Sequence, residues 1–338
     1  MKSPEGKELI SNLITAPGKD AGLFLTNLKV RGWLDYETLS KVRSDIIIVT
    51  LTGDRHGKPQ VDYTVNPALG IPDITGHEGS VDPVANAIPA WDMIAGNMCV
   101  SSLLAAERYR LRHGVGQDVE IALKDVASAA IGHLGMIADT TLNLDDRTKA
   151  GNSLYGAYGK DFLCADGNRV MIIGLTSRQW TGIVKATDTA EQFKQLEMQN
   201  NINLQDESIR WKWRHAITEI IEPWFKTRKV EDFASNFDKI GLTWSVFRSV
   251  REALDFDPDL TEDNPLFKKI LQPDAGEFLV PKHPANFSKV ENSDPTAAPI
   301  LGEHTEEILG DVLNLSDIEV SNLFDNGVVA SPSFHKNK

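Results

Sequence analysis

Cysteine is almost absent, with Cys99 and Cys164 the only two in 338 residues. Neither stands in a Cys-x-x-Cys or other ligand-like spacing. That excludes a disulfide scaffold or a cysteine-bound metal and fits a reducing, cytoplasmic setting. Long apolar runs are also missing, and none reaches the roughly 20 residues a membrane helix needs. The opening residues, Met1-Lys2-Ser3-Pro4-Glu5-Gly6-Lys7-Glu8, are polar and carry no signal-peptide core. Positive charge is in deficit: 35 Lys and Arg stand against 48 Asp and Glu, a net charge of −13. Nucleic acid and anionic membrane surfaces are therefore poor partners, and a phosphate-bearing ligand requires a local cationic pocket. Internal repeats and low-complexity tracts are lacking as well. What remains is 41% hydrophobic, enough for one large or two smaller globular domains.

The apolar pattern predicts a helix over 5–13, a short strand over 22–26, a helix over 36–42 and a buried strand over 45–51. Strand, helix and strand at this spacing imply a parallel βαβ unit in an α/β fold. Residues 54–88 are rich in Gly, Pro, Asp and Asn, and so long an excursion implies a functional loop. A strong helix follows over 90–112, its end carrying Arg108, Arg110, Arg112 and His113 where cations suit the dipole. A second region opens near Gly151, with strands expected at 169–174 and 241–247 and Trp-rich helices between them. The stretch 273–299 reads as loop, and a last helix opens at 304–309 with Thr305 as its cap.

One segment carries more chemistry than the rest: His113-Gly114-Val115-Gly116-Gln117-Asp118-Val119-Glu120-Ile121-Ala122-Leu123-Lys124-Asp125-Val126. Val119, Ile121 and Leu123 alternate with Asp118, Glu120 and Ala122, as in a strand. Residues 126–138 then read as a buried helix with Asp125 at its mouth. An Asp there caps free N–H groups and meets the positive end of the helix dipole. The local pattern alone is satisfied by a cap; a carboxylate nucleophile is the second reading.

The pattern Gly-x-Gly-Gln-x-Val-x-apolar-Ala-apolar-x-Asp resembles the signature of the class III CoA-transferases, the group containing formyl-CoA transferase, carnitine-CoA transferase and methylacyl-CoA racemase. The resemblance extends over nearly the whole chain. It implies an α/β fold with a Rossmann-like large domain from 1–150, completed by 283–338, and a smaller α+β domain inserted at 151–282. It also implies two chains interlocked as a homodimer, coenzyme A arriving as part of the substrate, and no permanently bound cofactor or metal. Asp125 takes the place of the family nucleophile. Thr26-Asn27-Leu28-Lys29 with Arg31-Gly32 resembles the CoA-lining motif, making Asn27, Lys29 and Arg31 candidate CoA contacts. Asp92 matches a residue opening the central helix, where a cap is the plainer role, and His304 falls in a C-terminal Pro-x-apolar-Gly-x-His-Thr motif with a structural role.

In the racemase branch a His and a Glu flank the nucleophile. Asp73 and Ser177 stand at those positions here, so a two-base proton shuttle lacks its partners and transfer is the better reading. Gly53-Asp54-Arg55-His56-Gly57-Lys58, Val61 to Pro67, and Gly132 to Ala138 narrow the resemblance to a branch that shifts CoA between the two carboxyls of one small unsaturated dicarboxylic acid. Arg55, His56 and Lys58, with Asp73, are then candidates for meeting the acyl group's second carboxylate. Transfer between two different acids, and a chain that binds without catalysing, stay open as alternatives. Members of the family begin with a strand, a helix and a second strand ahead of the segment matched by Met1 to Gly6. The resemblance therefore implies an N-terminally shortened chain, with Lys2 at the place of a CoA-facing lysine.

Overall fold

A computed structural model describes residues 3–143 and 146–332. Lys2 lies outside the described residues. The chain forms two compact units: 1–73, 84–147 and 296–338 make the first, and 74–83 with 148–295 the second.

In the first unit, α1 (Pro4–Ile14) starts with Ser3 accepting the Gly6 N–H at 3.0 Å and leads to β1 (Leu23–Thr26). Then come α2 (Tyr36–Leu39), β2 (Ile47–Thr52), α3 (Asp62–Ala68), α4 (Ile71–Ile74), α5 (Ala90–His113) and β3 (Gln117–Ala122). The three strands form a parallel sheet in the order β1-β2-β3, with Thr26 beside Thr50 and Thr52 beside Ala122. β2 is central and apolar on both sides, as a strand of a covered parallel sheet must be. Ile47 and Val49 face Cys99 and Ala106 of α5, while Ile46 and Ile48 face Leu34, Leu39 and α1. Each of these buried branched side chains contributes about 1.5–3 kcal/mol relative to exposure.

The predicted βαβ unit is thus present, but the excursion at 54–88 is not all loop. It contains α3 and α4, and α3 buries Asp62, Val65 and Asn66. Asp62 caps α5 from a distance, its carboxylate accepting the Trp91 N–H at 2.7 Å and the Asp92 N–H at 3.2 Å. Asn66 accepts the indole N–H of Trp91 at 3.0 Å. The cap expected of Asp92 therefore belongs to Asp62, and burial beside that carboxylate raises the pKa of Asp92. α5 ends at Gly114 in the left-handed conformation, and Gly116 follows, where a Cβ would lie 1.9 Å from the Ile46 carbonyl oxygen. Only glycine lets β3 enter so close to β2.

β3 runs directly into α6 (Leu123–His133), and α7 (Met136–Asn143) follows. The single buried helix predicted for 126–138 is two helices broken at Leu134-Gly135, and α7 buries none of its residues.

The second unit holds an antiparallel sheet of β4 (Tyr158–Leu163), β5 (Arg169–Gly174) and β6 (Thr243–Val246). Against it lie α8 (Ser177–Ala186), α9 (Ala190–Asn200), α10 (Glu207–Lys212), α11 (Arg214–Lys226) and α12 (Val230–Lys239). The core is aromatic: Phe162 stacks on Phe225 with centroids 4.6 Å apart, and Phe233 and Phe237 pack with Trp224 and Trp244. Cys99 and Cys164 are buried free thiols of the first and second units; burial raises both pKa values, that of Cys164 to about 11, which disfavours the thiolate form. α13 (Val250–Phe256) leads to a hairpin of β7 (Phe267–Gln272) and β8 (Gly276–Pro281), so the stretch read as loop from 273 opens with a strand. The chain then returns to the first unit through α14 (Thr305–Asp311) and α15 (Asp317–Asp325). His304, not Thr305, occupies the N-cap position of α14, and the Thr305 hydroxyl donates instead to the Ala330 carbonyl at 3.3 Å.

Candidate active site

Parallel strands all end on one side, and in open α/β sheets ligands bind beyond those carboxyl ends. In the first unit that edge gathers three segments: the exit of β1 at 27–31, the exit of β2 at 53–59 and the opening of α6 after β3. Asn27, Lys29, Arg31, Thr52, Gly53 and the run Arg55 to Pro59 line an open cavity of about 600 Å³.

Asp125 stands at the third residue of α6. Leu123, Val126 and Ala127 of the same helix turn inward onto Trp91 and Val65. That periodicity leaves Asp125 on the outer face, with its side chain 48% exposed. It is not the N-cap expected from the sequence; Ala122 holds that position and its side chain makes no capping bond. β3 passes into helix without an intervening turn, so the helix starts earlier and Asp125 falls within its first turn. Negative charge is still favoured there by the dipole.

The exit of β2 is shaped by Gly53 and Asp54. A Cβ on Gly53 would lie 2.3 Å from the Gln60 nitrogen and 2.6 Å from the Lys58 oxygen, so only glycine allows the turn to close. The Gly53 carbonyl accepts the Lys124 N–H at 3.1 Å, tying the turn to the start of α6. One carboxylate oxygen of Asp54 accepts the N–H groups of His56 at 2.9 Å and Lys58 at 2.8 Å. These bonds, led by the one from Lys58, hold the Asp54 carboxyl below its usual range. Arg55 is thereby presented to α6, with its Nη1 3.6 Å from Oδ1 of Asp125.

At the exit of β1 the Thr26 hydroxyl accepts the Leu28 N–H at 2.9 Å. Asp35 accepts the N–H groups of Gly32 and Thr38, which fixes the turn after Arg31 and caps α2. Lys29 is ion-paired with Glu120 of β3. Arg31 and Lys58 form no ion pair among the described residues.

Six sequence candidates, Asn27, Lys29, Arg31, Arg55, His56 and Lys58, thus share one cavity, and Asp125 touches its Arg55 wall. Asp73 does not line this cavity; it is exposed on α4. Ser177 opens α8 in the second unit and donates its hydroxyl to the Gln205 carbonyl at 3.1 Å. Gly53, Asp54 and Glu120 carried no assigned role from the sequence. The Asp-x-His-Gly run is the signal that was available for the Asx-type turn, whereas Glu120 lies 91 residues from Lys29 and has no local signature.

A parallel sheet with a first-turn carboxylate and a cationic pocket at its carboxyl edge suits a ligand carrying both phosphates and an electrophilic carbonyl. The profile of CoA-transferase family III matches residues 1–305. The chain belongs to that family, and it is an enzyme of the CoA-transferase class. It is 48% identical to a 2-methylfumaryl-CoA isomerase of Chloroflexus aurantiacus over 98% of this chain and 81% of that one. It is 22% identical to a succinyl-CoA:glutarate CoA-transferase of Mus musculus over 97% of this chain and 74% of that one. Among solved structures, a CAIB/BAIF family protein from Brucella suis superposes with a TM-score of 0.69 at 22% identity, covering 92% of this chain and 79% of that one. The α/β class III CoA-transferase fold expected from the sequence is thereby established. No helix among the described residues is long and apolar enough to cross a membrane.

Proposed function

We propose that this chain moves CoA between the C1 and C4 carboxyls of mesaconate (2-methylfumarate), by way of a covalent Asp125 intermediate. The observation that carries the reading is the place of Asp125: at the nucleophile position of the motif, in the first turn of α6, beside a cavity walled by cations from two other strand ends. The 48% identity to a 2-methylfumaryl-CoA isomerase supports the acyl class.

In this reading Asp125 attacks the thioester carbonyl and CoA thiolate leaves, giving a mixed anhydride. Thiolate then attacks the Asp125 carbonyl carbon, which yields aspartyl-CoA and releases the diacid. The other carboxylate of the diacid attacks that thioester, and the same steps in reverse deliver CoA to the second end. The dipole of α6 favours the negative charge that develops beside Asp125, and backbone N–H groups supply the oxyanion contacts. Asn27, Lys29 and Arg31 hold the CoA moiety, its phosphates suiting Lys and Arg. Arg55, His56 and Lys58 meet the acyl carboxylate, and Asp73 is a further acyl-side candidate. The enzyme works in the cytoplasm as an interlocked homodimer, needs neither nucleic acid nor membrane, and uses CoA only as part of its substrate.

The test is to incubate the purified chain with mesaconyl-C1-CoA, adding no free acid, and to separate the CoA isomers by chromatography. The C4 isomer is expected, and Asp125→Ala should abolish its formation. Conversion that appears only when a second acid is added would replace this reading with intermolecular transfer. Full activity of the Asp125→Ala variant would remove the covalent route.

A further inference from the structure

We infer that Arg55 is the specificity switch of this site: it exchanges the carboxylate of Asp125 for the free carboxylate of the bound acyl group, and so unmasks the nucleophile only for dicarboxylic thioesters. The inference deepens the function proposed above and rests on it.

Three features lead there. The Arg55–Asp125 contact, at 3.6 Å, is loose, and the two side chains are 69% and 48% exposed. Pairs of this kind are weak and exchange readily. A free carboxylate offers the guanidinium fork two parallel hydrogen bonds, which the contact with Asp125 does not supply. The backbone that carries Arg55 is fixed at both sides, by the Asp54 bonds to His56 and Lys58 and by the Gly53–Lys124 bond. Only the side chain has to move. Lys29, another cation of the cavity wall, is already paired with Glu120.

The chemistry gives the exchange a purpose. A carboxylate with a guanidinium beside it is a poorer nucleophile than a free one. When the acyl group carries a second carboxylate, Arg55 is drawn to it and Asp125 is released to attack. After CoA has passed to Asp125, the diacid has two free carboxylates and turns end for end. Arg55 then holds the C1 carboxylate while the C4 carboxylate attacks. One cation serves both halves because the two ends trade places, and no bond beyond those of the transfer itself is made or broken.

The experiment compares wild type with Arg55→Gln and Arg55→Lys on two thioesters. Mesaconyl-C1-CoA is followed by isomer separation. Methacrylyl-CoA, the same acyl skeleton without the second carboxylate, is followed by thiol release with hydroxylamine present to trap acylated Asp125. Arg55→Gln should lower kcat/KM for isomerisation by about 100-fold. It should also raise thiol release from methacrylyl-CoA by about fivefold, the change commanded by loss of a surface ion pair. Arg55→Lys, which keeps the charge but not the fork, should fall between the two and guards against a folding defect in the first variant. Equal loss on both thioesters, or no change on either, overturns the inference. If wild type leaves mesaconyl-C1-CoA unconverted, the proposed function is what fails; unaltered thiol release in both variants would then overturn the role of Arg55 separately.

Discussion

The two ends of the parallel sheet use the same residue type for opposite purposes. At the amino ends of β1 and β2, Arg110 is buried and gives its N–H groups to the carbonyls of Ala21 at 2.9 Å and Lys19 at 3.3 Å. Arg43 beside it donates to Gly18 O at 2.8 Å and to Asp45 Oδ1 at 2.8 Å. Those partners hold the Asp45 carboxyl below its ordinary range, the Arg43 hydrogen bond foremost. At the carboxyl ends, Arg31 and Arg55 stand exposed on a cavity wall, and Arg55 keeps only a hydrogen bond from Nε to the neighbouring His56 at 3.3 Å and the loose contact with Asp125. A guanidinium whose donors are spent on backbone carbonyls builds the fold. One whose outer Nη donors are not spent on the backbone can bind a substrate. The residue type does not separate the two; the direction of the strands does.

The comparison can be broken at either end. The largest effect belongs to Asp125→Ala, which should lower turnover by at least about 10⁴-fold without shifting the unfolding midpoint. Activity within tenfold of wild type would leave the carboxyl edge without a nucleophile. Arg110→Ala should do the reverse, costing about 3 kcal/mol of stability by leaving the part-buried carbonyls of Ala21 and Lys19 without their donor and removing a charge beside Asp45. Denaturant titration reads that loss, and the turnover of the folded fraction should stay within about twofold of wild type. A variant as stable as wild type would deny Arg110 its structural part. Gly53→Ala should reduce turnover by about 100-fold, since the β2 exit must shift and carry Arg55 away from Asp125. An unchanged rate would show that the turn tolerates the displacement.

The smallest effect is expected away from both ends, at Asp92. Its pKa is raised by burial and then by the Asp62 carboxylate, so the folded state binds the proton more tightly than the unfolded chain does. The charged form therefore destabilises the fold, by less than about 1 kcal/mol given the exposure of the side chain. Asp92→Asn should raise stability at pH 7, and the gain should fade as the pH drops through the raised pKa toward the unfolded value. A stability difference that does not change between pH 7 and pH 3 would contradict this origin.

The parts legible in the sequence were those built on local periodicity. Alternating Val119 and Ile121 mark β3, although Leu123, the third member of that alternation, already belongs to α6; the apolar run within 45–51 marks the doubly covered β2, and β3 with the apolar run after it places Asp125 at a strand-to-helix junction. The parts that escaped depend on partners remote in sequence. Asp62 caps a helix 29 residues away, Glu120 meets Lys29 across 91, and neither distance leaves a local mark. α3 and α4 escape local reading because both are short, α3 carrying Asn66 and Pro67 and α4 Pro72, so tertiary burial rather than propensity forms them. The helix ending at His133 was drawn too long because Gly132 and Gly135 sit in an apolar run whose pattern continues past the break.

The pairing of β2 with β3 has a consequence for how the protein comes to life. Thr52 meets Ala122 across 70 residues of chain, whereas Tyr158 of β4 meets Gly174 of β5 across only 16. Closing the longer loop costs more entropy before any contact rewards it. Arg55 and Asp125 hang from opposite sides of that late pairing, joined through the Gly53–Lys124 bond. During refolding, catalytic competence should therefore trail the fluorescence of Trp180, Trp224 and Trp244 in the second unit. Simultaneous recovery would mean that the distant strands meet early. In the expected order, a newly made chain acquires its chemistry last, after most of its architecture is already standing.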